Sequence, residues 1–221
     1  MLVTSRAYDE YVAFFDLSAE ELTGKRVLDC SAGASSFVAR LSRLGVEAIA
    51  VDPAYHLPGD RLAEVAATSL RDGNAIAAGH PGSFTWRWYG SVEAREKMRS
   101  RALAEFVLDL AEHRERYVAA SLPSLPFDDG AFDLAVCSHL LFTWADQLGY
   151  VWHLASLREL LRVAREVRVF PTVLQGAGEP VPFWEQLMDQ LRADGVTLET
   201  RRVGYEFQIA ATEMLVLLPA C

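Results

Sequence analysis

Short apolar runs alternate along the chain with longer segments that carry apolar residues at helical spacing. A run over 26–29 ends in Asp29 and is followed by small residues. Apolar side chains then recur at helical spacing over about 35–44. The next apolar run, 47–51, ends in Asp52 and is stopped by a proline. This order predicts a strand, a tight loop, a helix and a second strand.

The same alternation continues to the end of the chain. The remaining predicted strands are 117–120, 132–137, 166–173, 196–203 and 213–218. The remaining predicted helices are one over 62–70 that stops at Asp72-Gly73, one that begins after the N-cap Ser91, one over 153–164 and one over 183–191. Strands that alternate with helices predict a mostly parallel α/β sheet with helices on both faces, and the last two strands predict an antiparallel hairpin.

An unusually long interval, 54–115, separates the second and third predicted strands. Ordinary connections in such folds are much shorter. The interval holds two predicted helices and a loop rich in glycine and aromatic residues, including Trp86 and Trp88. We interpret 54–115 as a helical insertion that serves as a lid or substrate-binding element within a single domain of 1–221.

Composition limits the possible functions. The chain has 221 residues, half of them hydrophobic, and a formal net charge of -9, which argues against a nucleic-acid partner. Five cations lie between Arg87 and Arg101, and because acids are interspersed we interpret them as a solvated helix face. Cys30 and Cys137 end apolar runs and are expected to be buried, reduced thiols, and no metal-ligand spacing joins them to Cys221. Without a signal-type N-terminus or a membrane-length apolar run, we expect a cytoplasmic protein.

The loop after the first predicted strand is the strongest candidate for ligand binding. Between Asp29 and Ser35 it contains small residues and one glycine, Gly33. Neither G-x-G-x-x-G nor G-x-x-x-x-G-K-[ST] is present, so a pyrophosphate cradle is weakly supported and a P-loop is excluded. Two strand-end acids, Asp29 and Asp52, would repel a phosphate. They suit a ligand that carries a ribose and an amino group.

This segment resembles the first motif of class I S-adenosylmethionine-dependent methyltransferases. The resemblance extends over nearly the whole chain, through Asp52, the turn L-P-F-D-D-G-A-F-D-L at 125–134, and the final hairpin. It implies a Rossmann-like, doubly wound, seven-stranded sheet. The family pattern D-x-G-x-G-x-G has glycine where this chain has Ser31 and Ser35. A serine at a positive φ angle costs about 1 kcal/mol relative to glycine.

The resemblance also implies a set of cofactor-binding residues for S-adenosylmethionine. Asp29 would face the ammonium group, Asp52 would accept hydrogen bonds from the ribose, and Ser121 or a backbone carbonyl would reach the adenine. The full set of candidates is Asp29, Cys30, Ser31, Ala32, Gly33, Ser35, Asp52, Pro53, Ser121, Leu122 and Ser138.

The methyl acceptor is expected near the end of the fourth strand, where His139 is a candidate general base. The alternative is that His139 fixes the loop by hydrogen bonding or lines the pocket. The aromatic residues nearby either form an apolar acceptor pocket or pack the insertion onto the domain. The tentative substrate-binding residues are Tyr11, Trp86, Trp88, His139, Phe142 and Trp144.

The first hypothesis is a methyltransferase that acts on a small molecule. No N-P-P-[YF] follows the fourth strand, and no Pro-Cys pair lies where a cytosine-directed nucleophile would be. The second hypothesis is a non-catalytic module that binds S-adenosylmethionine or a protein on the same fold, and it is motivated by the serine substitutions. A nucleotide-dependent oxidoreductase is a weaker third interpretation.

Overall fold

A computed structural model describes residues 2–176 and 178–219. Within these ranges the chain forms one seven-stranded sheet with the order β3-β2-β1-β4-β5-β7-β6. The strands are β1 Arg26–Cys30, β2 Glu47–Val51, β3 Tyr117–Val118, β4 Leu134–Ser138, β5 Val167–Phe170, β6 Thr197–Arg202 and β7 Glu213–Leu218. The first five run parallel, and β7 lies antiparallel between β5 and β6. The predicted α/β fold class and the antiparallel C-terminal hairpin are confirmed.

The helices cover both faces of this sheet. They are α1 Tyr8–Phe15, α2 Ala19–Leu22, α3 Phe37–Arg43, α4 Gly59–Gly79, α5 Val92–Glu112, α6 Ala145–Val163 and α7 Trp184–Ala193. One core cluster joins the sheet to α1, α3, α4 and α5, and the other joins it to α6 and α7. Alternate residues of β4 supply the two clusters: Leu134 and Val136 belong to the first, Ala135 and Cys137 to the second. This alternation follows from the two-residue period of a strand.

Helix α4 is longer than its sequence predicts. The predicted end at Asp72-Gly73 is wrong, because the helix continues to Gly79. Glycine inside a helix costs about 1 kcal/mol relative to alanine, and packing outweighs that cost here. Beyond the glycine, Asn74 and Ala77 are buried, and Asn74 accepts a hydrogen bond from Arg95 of α5.

Other boundaries also differ from prediction, including the end of β5 at Phe170 and not at residue 173. Helix α6 begins at Ala145 and not at residue 153, and its backbone breaks at Gly149, where φ is 66°. Strand β3 is two residues long. Its pairing with β2 is limited to Tyr117 and Val118, so the chain leaves the sheet before the predicted end at residue 120.

The interval between β2 and β3 contains the two longest helices, α4 and α5, which pack against each other. Helix α5 also meets α3, where Arg40 and Arg43 approach Glu105 at 4.0 and 3.8 Å. Within the described ranges no helix is long and apolar enough to span a membrane.

The two described cysteines are buried and free. Cys30 and Cys137 lie opposite each other on β1 and β4, and burial raises the pKa of both thiols. They therefore act as small apolar groups at the centre of the sheet. Cys221 lies outside the described residues.

Candidate functional site

The loop after β1 has the backbone of a ligand-binding turn. Ser31 and Gly33 both adopt positive φ angles, 62° and 59°. The Ala32 amide donates to the Val51 carbonyl at 3.0 Å, and the Gly33 amide donates to the Asp52 carboxylate at 3.0 Å. The loop is thereby tied to the end of β2. Ser31 therefore occupies a conformation that favours glycine, as the departure from the family pattern leads one to expect.

An extended N-terminal segment, residues 2–7, crosses this loop at the start of α3. Its carbonyls at Thr4 and Arg6 accept from the amides of Ala34 and Ser36 at 3.0 and 2.9 Å. A Cβ atom at Gly33 would lie 2.8 Å from the Thr4 carbonyl oxygen, so only glycine allows this approach. The backbone N–H groups from residue 32 to residue 36 are all used within the chain.

Asp29 lies behind the loop and is completely buried. Its carboxyl group accepts from the Tyr11 hydroxyl at 3.1 Å and from the Ser35 hydroxyl at 3.0 Å. Burial raises the pKa of Asp29 to about 7, and the two hydroxyl hydrogen bonds oppose this rise. The side chain does not line the cavity described below, so direct contact with a ligand would require displacement of Tyr11 or Ser35.

Asp52 is placed differently, at the edge of a cavity. One carboxylate oxygen accepts from the Gly33 amide and the other from the Ala54 amide at 2.9 Å. Burial raises its pKa, and the two backbone hydrogen bonds lower it in part. Asp52 keeps 8% exposure, and each oxygen retains a lone pair that can accept from a ligand.

The cavity has a volume of about 440 Å³ and opens at the carboxyl ends of β1, β2 and β4. Its other walls are the N-terminal segment, helices α4 and α5, and the connection between β6 and β7. Seven sequence-predicted residues line it: Ser31, Gly33, Asp52, Pro53, Ser138, His139 and Trp144. A ligand at this edge agrees with the general rule for open α/β sheets.

His139 faces the cavity from the end of β4. Its Nδ1 lies 2.8 Å from the Ser138 hydroxyl, and its ring packs against Phe14 and Phe170 at centroid distances of 5.1 and 5.4 Å. Burial has the largest effect on the pKa of His139, and the positive charges of Arg6 and Arg99 act in the same direction. Together they hold this pKa well below its usual value. The imidazole is therefore neutral near pH 7.

The other predicted residues do not line the cavity, and of the two alternatives for the aromatic residues, most follow the packing alternative. Tyr11 and Phe142 are core residues. Trp86 and Trp88 pack against Phe207 and Tyr205 of the β6–β7 connection, at 5.1 and 5.0 Å. Packing therefore covers part of the surface of these two tryptophans, which stay partly exposed. The cofactor candidates that do not line the cavity are Asp29, Cys30, Ala32, Ser35, Ser121 and Leu122.

Three arginines also line the cavity: Arg6, Arg95 and Arg99. The prediction that Arg87–Arg101 forms a solvated face is wrong for Arg95 and Arg99, which are 5% and 7% exposed. Arg99 bonds the fully buried Glu10 at 2.7 Å, and Arg95 donates to Asn74 of α4.

The hydroxyl of Tyr89 extends this network. It donates to Glu10 and lies 2.8 Å from the Tyr205 hydroxyl. The network therefore connects α1, the segment before α5 and the β6–β7 connection around one side of the cavity.

Sequence comparison relates the chain to methyltransferases. Residues 89–168 match the family model described as "Methyltransferase domain". The match runs from the segment before α5 into β5 and does not include the loop after β1. An uncharacterized protein of Methanocaldococcus jannaschii is 27% identical over 217 residues, which are 98% of this chain and 95% of that protein.

Solved structures share the fold. Magnesium protoporphyrin IX methyltransferase from Synechocystis PCC 6803, solved with bound S-adenosylmethionine, aligns with a TM-score of 0.52 at 13% identity, over 96% of this chain and 78% of that one. A protein of Pyrococcus horikoshii OT3 aligns with a TM-score of 0.50 at 12% identity, over 96% of this chain and 91% of that one. The predicted resemblance to methyltransferases is thus supported over 89–168 by the family model, and the predicted Rossmann-like fold is shared with these solved structures over nearly the whole chain.

Proposed function

We propose that this chain is an S-adenosylmethionine-dependent methyltransferase that acts on a small molecule. The observation that carries the proposal is a single cavity with two kinds of predicted residue on its walls. Ser31, Gly33, Asp52 and Ser138 are predicted cofactor-binding residues, and His139 and Trp144 are predicted substrate-binding residues. Methyl transfer requires a donor and an acceptor to meet in one enclosed space.

The residues of the cavity fit the cofactor's polar groups. S-adenosylmethionine supplies a methyl group on a sulfonium. Asp52 would accept from the ribose hydroxyls, since each of its oxygens has one lone pair free. The loop amides are already bonded, so the cofactor's carboxylate needs a side-chain partner, and Arg6 lines the cavity beside this loop.

His139 is proposed as the residue that accepts a proton from the methyl acceptor. Its imidazole is half-buried, faces the cavity and is neutral near pH 7, so it has a free nitrogen to accept with. The Ser138 hydroxyl, 2.8 Å from Nδ1, fixes the ring orientation and leaves Nε2 for the acceptor.

The experiment that tests the cofactor site is calorimetric titration with S-adenosylhomocysteine, the demethylated product. We expect Asp52→Asn to weaken binding by about 1–3 kcal/mol, because ribose hydroxyls then lose a charged acceptor. Asp128→Asn, at an exposed acid in the turn before β4, is the matched control and should leave affinity unchanged. Absence of binding to the wild-type protein would overturn the proposal, and an unaffected Asp52→Asn would remove the ribose role.

A second candidate function is a non-catalytic module that binds the cofactor. It is favoured by the N-terminal segment, which occupies the loop amides, and by Ser31 at a positive φ angle. The two functions differ in turnover. Transfer of label from methyl-labelled S-adenosylmethionine to the small-molecule fraction of a cell extract would exclude the binding module, and label confined to protein would change the acceptor class.

A further inference from the structure

The walls of the cavity carry buried polar atoms that have no partner within the described residues. Five buried side-chain polar atoms are unpartnered: Ser5 Oγ, Arg95 Nε, Arg99 Nε, Thr143 Oγ1 and Ser156 Oγ. All except Ser156 belong to residues that line this one cavity. Buried polar groups are normally hydrogen-bonded, so their concentration here indicates a polar ligand.

Of the three arginines that line the cavity, Arg95 has its charge neutralised least by nearby carboxylates. Its guanidinium donates to the Asn74 amide oxygen at 2.9 Å and lies over the Phe207 ring at 4.8 Å. Within the described residues no acidic side chain forms an ion pair with it. Burial, together with the neighbouring Arg99, lowers the pKa of Arg95 to about 10. A buried guanidinium with one neutral partner is suited to receive an anion.

The acids near the cavity are bonded to other groups or exposed, and the charge of Glu10 raises the pKa of Arg95 only in part. Glu10 is held by Arg99 and by the Tyr89 hydroxyl. Asp52 is bonded to backbone amides at the end of β2, and Asp72 is exposed to solvent on α4. Each acid therefore has its own partners or water, and the positive charge at Arg95 remains available to a ligand.

The surroundings of Arg95 separate this charge from the proposed cofactor residues. Its contacts come from α4, from the segment before α5 and from the β6–β7 connection, through Asn74, Tyr89 and Phe207. None comes from the loops after β1 or β2, which carry the proposed cofactor residues. Phe84 and Phe207 stack at 4.5 Å and both line the cavity, so an apolar body fits beside the charge.

We propose that the methyl acceptor is an organic anion, with a carboxylate or phosphate bound by Arg95 and assisted by Arg99, and with an apolar body against Phe84 and Phe207. This inference rests on the proposed methyltransferase function. It narrows the acceptor class to small organic acids.

The test uses benzoate, phenyl phosphate and the neutral isostere benzamide as probes. Each is titrated by ligand-observed NMR into the protein, with and without saturating S-adenosylhomocysteine. We expect one or both anions to bind at least about tenfold more tightly than benzamide, as charge-assisted bonds to a buried guanidinium require. A carboxylate site favours benzoate, and a phosphate site favours phenyl phosphate.

Arg95→Gln should abolish this preference while leaving the affinity for S-adenosylhomocysteine unchanged. Arg101→Gln, an exposed arginine on the same helix, is the matched control and should change neither. If Arg95→Gln does not fold, Arg95→Met keeps the apolar stem against Phe207 and tests the same loss of charge.

Three results would overturn the proposal. The first is benzamide binding as tightly as the anions. The second is an equal loss of benzoate and S-adenosylhomocysteine affinity in Arg95→Gln, because the guanidinium would then hold the cofactor's carboxylate. The third is an anion preference in a protein that does not bind S-adenosylhomocysteine. The anion would then not be a methyl acceptor, because no methyl donor binds. This result would also show that the proposed methyltransferase function is wrong while the anion site itself exists.

Discussion

The buried carboxyl group of Asp29 makes the stability of the fold depend on pH. Its pKa is raised from 3.8 to about 7 by burial. Because the pKa is raised in the folded state, the unfolded chain loses this proton first as the pH rises. The contribution of Asp29 to the free energy of unfolding is therefore fully present below pH 3.8 and is lost as the pH rises through about 7. Each pKa unit corresponds to about 1.36 kcal/mol, which gives about 4 kcal/mol over the whole window.

The substitution Asp29→Asn removes this titration and keeps the shape of the side chain. The amide oxygen can accept from one of the two hydroxyls, Tyr11 or Ser35, and the amide nitrogen can donate to the other. About two pH units of the window between the unfolded and folded pKa values of Asp29 lie above pH 5. We therefore expect the free energy of unfolding of Asp29→Asn, relative to wild type, to increase by about 2–3 kcal/mol between pH 5 and pH 8.

Chemical denaturation at both pH values measures this difference, and Asp128→Asn, in the exposed turn, is the matched control. Taking the difference between two pH values cancels the loss of about 1 kcal/mol from weakened hydrogen bonds, which is the same at each. A relative stability of Asp29→Asn that stays constant from pH 5 to pH 8 would refute the reasoning. It would mean that water or rearrangement relieves the burial of the carboxylate.

Two further predictions concern the loop and the histidine. Gly33→Ala should destabilise the protein by at least about 2 kcal/mol, because a left-handed φ angle and a 2.8 Å approach to the Thr4 oxygen both oppose a Cβ atom. Thermal unfolding measures this loss. The control Gly79→Ala should change the unfolding temperature little, because no atom lies within 4 Å of the added Cβ. NMR titration of the His139 imidazole should give a pKa below its usual 6.5, through burial and the nearby Arg99, and a value at or above 6.5 would contradict its assignment as a neutral base.

Much of the fold was predictable because strand and loop signals are local. The bounds of β2 and β7 agree with those predicted from apolar runs and their flanking turns. The N-cap Ser91 also acts as predicted, since its hydroxyl accepts from the Ala94 amide at 3.1 Å. Helix α4 was predicted too short because a glycine is a weak local signal that packing against α5 overrides.

The arginine network was missed because hydrophobic periodicity identifies a face by its apolar residues alone. On α5 the buried stripe includes Ala102 and Phe106. Steps of three and four residues toward the N-terminus extend that stripe to Arg99 and then Arg95. The sequence therefore contained an indication that Arg95 and Arg99 continue the buried face of α5. It could not show that the buried partner of Arg99 is Glu10, which lies far away in the sequence on α1.

The N-terminal segment occupies amides after β1, in the stretch where Ser31 and Ser35 replace the glycines of the family pattern. Its carbonyls at Thr4 and Arg6 satisfy amides that a ligand would otherwise use, and the helix that follows supplies Glu10 to the arginine network. The proposed binding at this site therefore depends on side chains more than on loop amides. This dependence makes Asp52→Asn and Arg95→Gln informative together, because each removes one charged side chain from a different wall of the same cavity. Loss of cofactor affinity in the first and of anion affinity in the second would show that the two side chains bind different ligands.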